Sequence, residues 1–94
     1  MTTFFMFGKY SAKSVKKISA ERTVKATELI KELGGEIQSG YALLGKYDII
    51  IITDFPNKDQ AMKASVALTR TLGISFETAP AVTMEEFDKL MGEL

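Results

Sequence analysis

The sequence contains no cysteine and no histidine among its 94 residues. Without cysteine the chain forms no disulfide and offers no thiolate nucleophile or thiolate metal ligand. Without histidine it also lacks the commonest general base and transition-metal ligand. These absences exclude the usual structural zinc sites, iron–sulfur clusters and histidine-ligated haem. Any catalysis would rely on tyrosine, aspartate, glutamate, lysine or arginine, and we expect neither a metal nor a cofactor.

Long hydrophobic runs are also missing. The longest has four residues, as in Ile49–Ile52, whereas about 20 are needed to span a bilayer. The N-terminus lacks the basic region and hydrophobic stretch of a signal peptide. Twelve basic and twelve acidic residues give zero net charge, and neither sign forms a block that would follow a phosphate backbone or an anionic bilayer. We expect a cytoplasmic protein, one domain spanning residues 1–94, that binds neither nucleic acid nor membrane.

The chain begins with a predicted strand and two helical segments. Aromatic residues without helical spacing predict a strand over Thr3–Phe7, ending before Gly8. Ser11 is placed to cap a short helical turn, and Ser19 to cap a longer helix. The longer helix has an apolar stripe, Ala26, Leu29, Ile30 and Leu33, and stops at Gly34.

Residues 36–55 predict two strands that fold back through a tight turn near Leu44 to Lys46, where Gly45 tolerates the backbone. In the second of these strands, alternation places Tyr47, Ile49, Ile51 and Thr53 on one face. It places Asp48, Ile50, Ile52 and Asp54 on the other. Both faces are therefore apolar in the middle of the strand.

The last part of the sequence predicts a helix, a strand and a short terminal helix. Asn57 with Gln60 is typical of a capping box, and so is Thr83 with Glu86. The first helix has a stripe of mostly small residues, Ala61, Ala64, Ser65, Leu68 and Leu72. The segment "ISFETAP" ends at Pro80 and predicts the fourth strand.

This order of elements, β-α-β-β-α-β, is that of the ferredoxin-like α+β fold. It predicts a four-stranded antiparallel sheet with two helices on one face and a short C-terminal helix. The first and third strands are central in this topology, and both supply large side chains to both faces. Since each fully buried phenylalanine or isoleucine is worth roughly 1.5–3 kcal/mol relative to exposure, the second face requires a cover.

Two covers for that face are compatible with the sequence. The favoured one is a second copy of the chain, sheet against sheet around a twofold axis, which gives an association of the dimeric α+β barrel type. The other is the C-terminal helix, folded across its own sheet with Phe87 and Leu90 inward. A terminal helix that packs on a partner subunit would combine the two. We expect a homodimer or higher homo-oligomer.

Five short motifs occur in order along the chain: "SAER" at residues 19–22, "LGG" at 33–35, "YALLGKYD" at 41–48, "TDFPNKDQA" at 53–61 and "T-x-E-E-F" at 83–87. Together they resemble the GYD domain family of small bacterial and archaeal proteins. The resemblance covers essentially the whole chain, with one departure at Ala20, where the family often has proline. It implies a ferredoxin-like fold of the dimeric α+β barrel type. It implies no established activity.

Four residues are candidates for a ligand-binding site: Arg22, Tyr41, Tyr47 and Asp48. Asp48 directly precedes four isoleucines, so its carboxylate needs hydrogen bonds or a cation. Arg22 is the first choice of partner and Lys46 the second. Tyr41 and Tyr47 flank the turn. A purely structural role, a fixed turn with a helix-to-sheet ion pair, remains open beside the ligand-binding one.

Three function classes remain open. The favoured one is a homo-oligomeric binding or regulatory module that accepts a small apolar metabolite or a partner protein without chemistry of its own. The second is a cofactor-independent enzyme of the dimeric α+β barrel type, an isomerase or oxygenase in which Asp48 or a tyrosine moves a proton. The third is an assembly subunit. Tyr10, Arg70 and Glu77 are further polar candidates that we expect to be surface residues.

Overall fold

The computed structural model describes residues 1–94. Its elements are β1 (Thr2–Tyr10), α1 (Ala12–Val15), α2 (Ala20–Glu32), β2 (Glu36–Ala42), β3 (Ile49–Phe55), α3 (Lys58–Leu72), β4 (Ile74–Ala81) and α4 (Met84–Gly92). The strands form one antiparallel sheet in the order β2-β3-β1-β4. The predicted ferredoxin-like α+β fold is confirmed. None of the helices is long and apolar enough to cross a membrane.

Each helix begins at the capping residue that the sequence predicts. The side chains of Ser11, Ser19, Asn57 and Thr83 each accept a hydrogen bond from the backbone N–H three residues later, over 3.0 to 3.3 Å. These bonds satisfy N–H groups that a helix start otherwise leaves without a partner. The end of α3 is also determined by a single residue, because Gly73 adopts a left-handed conformation with φ of 69°.

The hydrophobic core lies between the sheet and helices α2 and α3. In β1, Phe4 and Met6 are 3% and 0% exposed, whereas the alternate residues Phe5 and Phe7 are only partly buried. The core cluster is Phe4, Met6, Ile30, Phe55, Ala61, Ala64 and Leu68. The small alanines let α3 approach the sheet closely, as their spacing predicts.

The opposite side of the sheet, here called the open face, is apolar in its centre and covered by no element of the chain. Its central pairs are Phe5 with Ile52 and Phe7 with Ile50. Ala79 and Glu77 of β4 lie beside the same two phenylalanines. The predicted alternation of Ile49 to Asp54 between the two faces is therefore confirmed within β3.

Three boundaries differ from the prediction. Strand β1 continues past Gly8 to Tyr10, because Gly8 lies beneath Ile49 and Phe76, where an added Cβ would approach side-chain carbons to 2.7 Å. The connection between β2 and β3 is not a tight turn but runs from Leu43 to Asp48, closed by a 2.8 Å hydrogen bond between those two backbones. Strand β4 includes Pro80, which is tolerated because this is an edge strand.

Helix α4 extends from the sheet without folding across the open face. None of its residues is buried, and its apolar residues Met84, Phe87, Leu90 and Met91 are between 43% and 71% exposed. The alternative in which Phe87 and Leu90 cover the sheet of their own chain is therefore wrong. The helix is capped and amphipathic but has no packing partner within the chain.

The packing at Gly35 gives a stability prediction. A Cβ at this position would lie 2.5 Å from the ring of the fully buried Phe55 and 2.9 Å from the Asp54 carbonyl oxygen. Gly35→Ala should lower the free energy of unfolding by about 1–3 kcal/mol, as overpacking does in well-packed cores. Denaturant titration at fixed protein concentration measures the change.

Gly40→Ala is the matched control for this substitution. It adds the same methyl group to β2, where the nearest atom, the Ile50 carbonyl oxygen, is 3.7 Å away. Its stability should equal that of the wild type or exceed it by up to about 1 kcal/mol. Equal stabilities for the two variants would contradict this account of Gly35.

Candidate functional site

A cleft opens between the first half of α2 and the sheet. The second half of α2 packs on the core through Leu29 and Ile30, followed by Leu33 directly after the helix, but no residue of the first half is fully buried. The α2 cleft has a volume of about 430 Å³, and thirteen of its eighteen lining residues are hydrophobic. Small side chains explain the space: α2 contributes Thr23, Ala26 and Thr27, and β2 contributes Gly40 and Ala42.

Arg22 stands at the rim of this cleft in a fixed position. Its Nη1 donates to the carbonyl oxygen of Ser14 over 2.6 Å and to the Ser14 hydroxyl over 2.8 Å. Ser14 is 3% exposed, and its hydroxyl donates in turn to the Leu72 carbonyl oxygen. The guanidinium carbon also lies 4.9 Å from the centroid of the Tyr10 ring, a cation–π distance. The charge of Arg22 is therefore held between α1 and β1.

Asp48 occupies a different place from the one that the sequence suggests. Its carboxylate Oδ2 accepts the backbone N–H of Tyr10 over 2.8 Å, and its own N–H donates to the Gly8 carbonyl oxygen over 2.9 Å. Asp48 thus prolongs the β1–β3 ladder beyond the end of β3. The predicted ion pair with Arg22 is wrong, and Lys46 does not replace it. Both residues contact Tyr10 instead: Arg22 lies over its ring, and Asp48 accepts its backbone N–H.

The two candidate tyrosines lie on the same side of the sheet. Tyr41 is 61% exposed and pairs with Ile50 across β2 and β3, so its side chain is on the open face, although the residue borders the α2 cleft. Tyr47 packs on Phe7 of the open face, with ring centroids 5.2 Å apart, so its predicted position on the face of Ile49 is wrong. It precedes the regular strand, and the alternation does not extend to it. The Glu77 carboxylate, as a hydrogen-bond acceptor, and then burial raise the pKa of Tyr47 above its ordinary value.

A second pocket adjoins the α2 cleft and is polar. This cationic pocket has a volume of about 410 Å³ and lies between α1, the start of α2 and the end of α3. Its charged lining residues are Lys13, Lys17, Arg22 and Lys25, with Glu21 as the one carboxylate. The even distribution of charge along the sequence is therefore not preserved in the folded chain. Arg22 lines both pockets, and so do Ser19 and Leu72.

The open face also has a polar end that the sequence analysis missed. Asp54 accepts hydrogen bonds from the Gln38 amide and from the Thr3 hydroxyl, the latter over 2.8 Å. These bonds hold the pKa of Asp54 below its usual range. The β2 register shifts between Ile37 and Ser39, and this irregularity lies at Gln38. No pattern in the sequence predicts this shift in register.

The structure thus places one of the four candidate side chains, that of Arg22, at this cleft, which Tyr41 borders with its side chain on the other face of the sheet. Tyr47 and Asp48 do not line it. Tyr10 does line it, although the sequence offered no spacing argument for this residue. Such an argument would follow from a first strand that continues past Gly8, because alternation places Tyr10 on the same face as Phe4, Met6 and Gly8. No group of three acidic side chains lies close enough together to hold a metal ion.

The bonds of Asp48 predict the effect of removing its carboxylate. Asp48→Ala leaves the Tyr10 N–H without its acceptor, so the free energy of unfolding should fall by about 1–3 kcal/mol. Asp48→Asn retains a carbonyl oxygen as an acceptor, so its free energy of unfolding should fall by less. Denaturant titration of both variants at one protein concentration gives the order. An Asp48→Ala protein as stable as the wild type would show that the carboxylate is not an anchor.

Solved structures share the fold of this chain at very low sequence identity. One is the leucine response regulatory protein LrpA of Mycobacterium tuberculosis, with a TM-score of 0.58 and 8% identity. Another is a glutamate-to-alanine mutant protein, with a TM-score of 0.57 and 8% identity. Each alignment covers 87% of this chain but only 51% and 50% of the other chains. This chain therefore spans about half the length of those proteins, and the likeness is one of fold alone.

Sequence comparison gives the family. No curated protein matches the sequence. The family model of the GYD domain matches residues 4–91, from the first apolar residue of β1 to the last turn of α4. Since this match covers nearly all of the 94 residues, the chain belongs to the GYD domain family.

Proposed function

We propose that this protein is a small-molecule-binding, regulatory module that has no chemistry of its own and acts as a homo-oligomer. The α2 cleft carries the proposal. Its volume of about 430 Å³ and its largely hydrophobic lining match ligand pockets, which typically measure about 300–1,000 Å³ with a few polar groups that fix orientation. The fold shared with a leucine response regulatory protein agrees with a regulatory role.

The lining of the cleft favours binding over catalysis. Isoleucines of β3 form the sheet side, and the polar groups at the rim include Arg22 and Tyr10. No carboxylate lines the cleft, and the oxygen of Asp48 is already engaged by a backbone N–H. The proton transfer considered for Asp48 therefore has no support in this geometry. A small apolar metabolite fits the lining.

The open face supports the proposed self-association. Phe5, Phe7, Ile50 and Ile52 are adjacent in the centre of the sheet, and no helix of the chain covers them. Apolar patches of this kind on a folded chain are typical of protein interfaces. A second copy placed sheet against sheet would bury both patches at once, since a twofold axis brings the same surface of each subunit together.

Helix α4 supports the same association. It is amphipathic, and Phe87, Leu90 and Met91 are roughly half exposed in the single chain. A helix of nine residues is marginal in water without tertiary packing. A partner subunit would supply this packing, because Val82, Thr83 and Glu86 at the start of α4 border the same depression as Phe5 and Ile52 of the open face.

The sheet-face association predicts the effect of a charge at its centre. Ile52→Lys places an ammonium group where the partner's apolar side chains would lie, and burial of an unpaired charge is costly. The variant should sediment as a monomer at concentrations where the wild type is oligomeric. Val66→Lys makes the same change on the exposed side of α3 and should keep the wild-type state. A monomeric wild type, or an unchanged Ile52→Lys oligomer, would refute the association.

Filling the α2 cleft should separate ligand binding from folding. Ala26→Leu extends a side chain into the cleft and should change the free energy of unfolding by less than about 1.5 kcal/mol, because space is available there. Val24→Leu, on the exposed side of α2, is its control. The probe is 1-octanol, followed by its shifts of backbone amide resonances.

In the wild type and in Val24→Leu, octanol should shift amides of residues that line the cleft, such as Ala26, Gly40 and Ile51. In Ala26→Leu these shifts should be lost. Shifts confined to the open face, or equal shifts in all three proteins, would show that the cleft does not bind apolar molecules.

A further inference from the structure

We propose that the α2 cleft and the cationic pocket together bind an anionic amphiphile, a molecule with an apolar body and one carboxylate or phosphate head group. The inference rests on the proposed ligand-binding function of the cleft and names the class of ligand. It depends on the position of the two pockets, which are adjacent and have three residues in common: Ser19, Arg22 and Leu72.

Arg22 is the residue that joins the two environments. Its Nη1 is occupied by Ser14, whereas a guanidinium has five N–H donors in a planar fork. The donors on Nε and Nη2 make no hydrogen bond within the chain. A guanidinium fixed by a buried serine and by the Tyr10 ring is oriented before a ligand arrives, and planar forks of this kind suit carboxylate and phosphate groups.

The charge around the cationic pocket favours an anion. Four cationic side chains line it, with Glu21 as the single carboxylate. The two ion pairs in the chain, Lys58 with Asp59 and Lys89 with Glu85, lie elsewhere. The positive charges of the pocket are therefore not neutralised by pairing, although the whole chain has zero net charge. Clefts lined by one sign of charge concentrate the field and attract the opposite charge.

Hydroxyl groups complete the lining of this pocket. Ser11, Ser19 and Thr71 contribute hydroxyls that donate to nothing within the chain, and hydroxyls donate to the oxygens of anionic head groups. The Ser14 hydroxyl already donates to the Leu72 carbonyl oxygen. The neighbouring cleft is different, because most of its lining is hydrophobic. A free inorganic anion would leave the cleft empty, and a neutral apolar molecule would leave the cations without a partner. A molecule that has both parts uses both pockets.

The experiment compares three probes with the same eight-carbon body: 1-octanol, octanoate and octyl phosphate. Affinities are measured by amide-resonance titration of the full chain. Octanoate and octyl phosphate should each bind the wild type at least about tenfold more tightly than octanol, because charge-assisted hydrogen bonds are the stronger kind. At an ionic strength of about 1 M, where the Debye length is about 3 Å, this advantage should shrink. Tighter binding of octanoate assigns the head group to carboxylates, and tighter binding of octyl phosphate assigns it to phosphomonoesters.

Charge-neutral variants test the pocket itself. Lys13→Gln combined with Lys17→Gln changes two lining residues whose side chains make no hydrogen bond or ion pair in the structure, so folding should be retained. This variant should bind the two anions to within about threefold of octanol, with its octanol affinity unchanged, since each exposed ion pair contributes little alone and several act together. Lys31→Gln combined with Lys63→Gln removes the same charge outside the pocket and should behave as the wild type.

The outcomes distinguish this inference from the function on which it rests. Equal affinity of the wild type for octanol and for both anions would overturn the anionic head group and leave the apolar cleft intact. An anion preference that survives in Lys13→Gln/Lys17→Gln would overturn the assignment to the cationic pocket. Absence of binding by all three probes would overturn the ligand-binding function itself.

Discussion

Cross-strand pairing between β1 and β3 is the constraint on which the rest of the structure depends. The two strands lie in the middle of the sheet and carry large apolar side chains on both sides. Helices α2 and α3 use one side to build the core. The other side then remains as an apolar surface that no helix of the chain covers, since α4 does not fold back over it. The fold and the proposed association have the same origin.

Strands that are apolar on both faces present a difficulty of register. A slip of one residue exchanges the faces of a strand, and where only one face is apolar the hydrophobic pattern forbids it. In β1 and β3 the hydrophobic pattern therefore specifies the register only weakly. Polar groups specify it instead. Thr53 is fully buried and donates to the Phe4 carbonyl oxygen over 3.2 Å, while Asp54 accepts from Thr3 on the other side of the sheet. A slip would break both bonds and place the hydroxyl and the carboxylate on the wrong faces.

The parts of the structure that were predictable from the sequence are those with local causes. Capping residues, the apolar stripes of α2 and α3 and the alternation within β3 depend on residues a few positions apart, so the element order and the fold followed from them. The site depends on residues far apart in the chain. Arg22 meets Ser14 and Tyr10 rather than Asp48, and a cleft remains beside the first half of α2, where β2 has the small residues Gly40 and Ala42. Neither fact has a signature in the sequence.

The position of β3 has a thermodynamic consequence. Ile49 and Ile51 line the α2 cleft, while Ile50 and Ile52 pair with the phenylalanines of the open face. A single seven-residue strand therefore forms part of the proposed ligand site and part of the proposed subunit interface. Any ligand whose binding alters the twist or position of β3 changes the free energy of association. By reciprocity, association changes the affinity for that ligand by the same factor, so the two equilibria form one linked system.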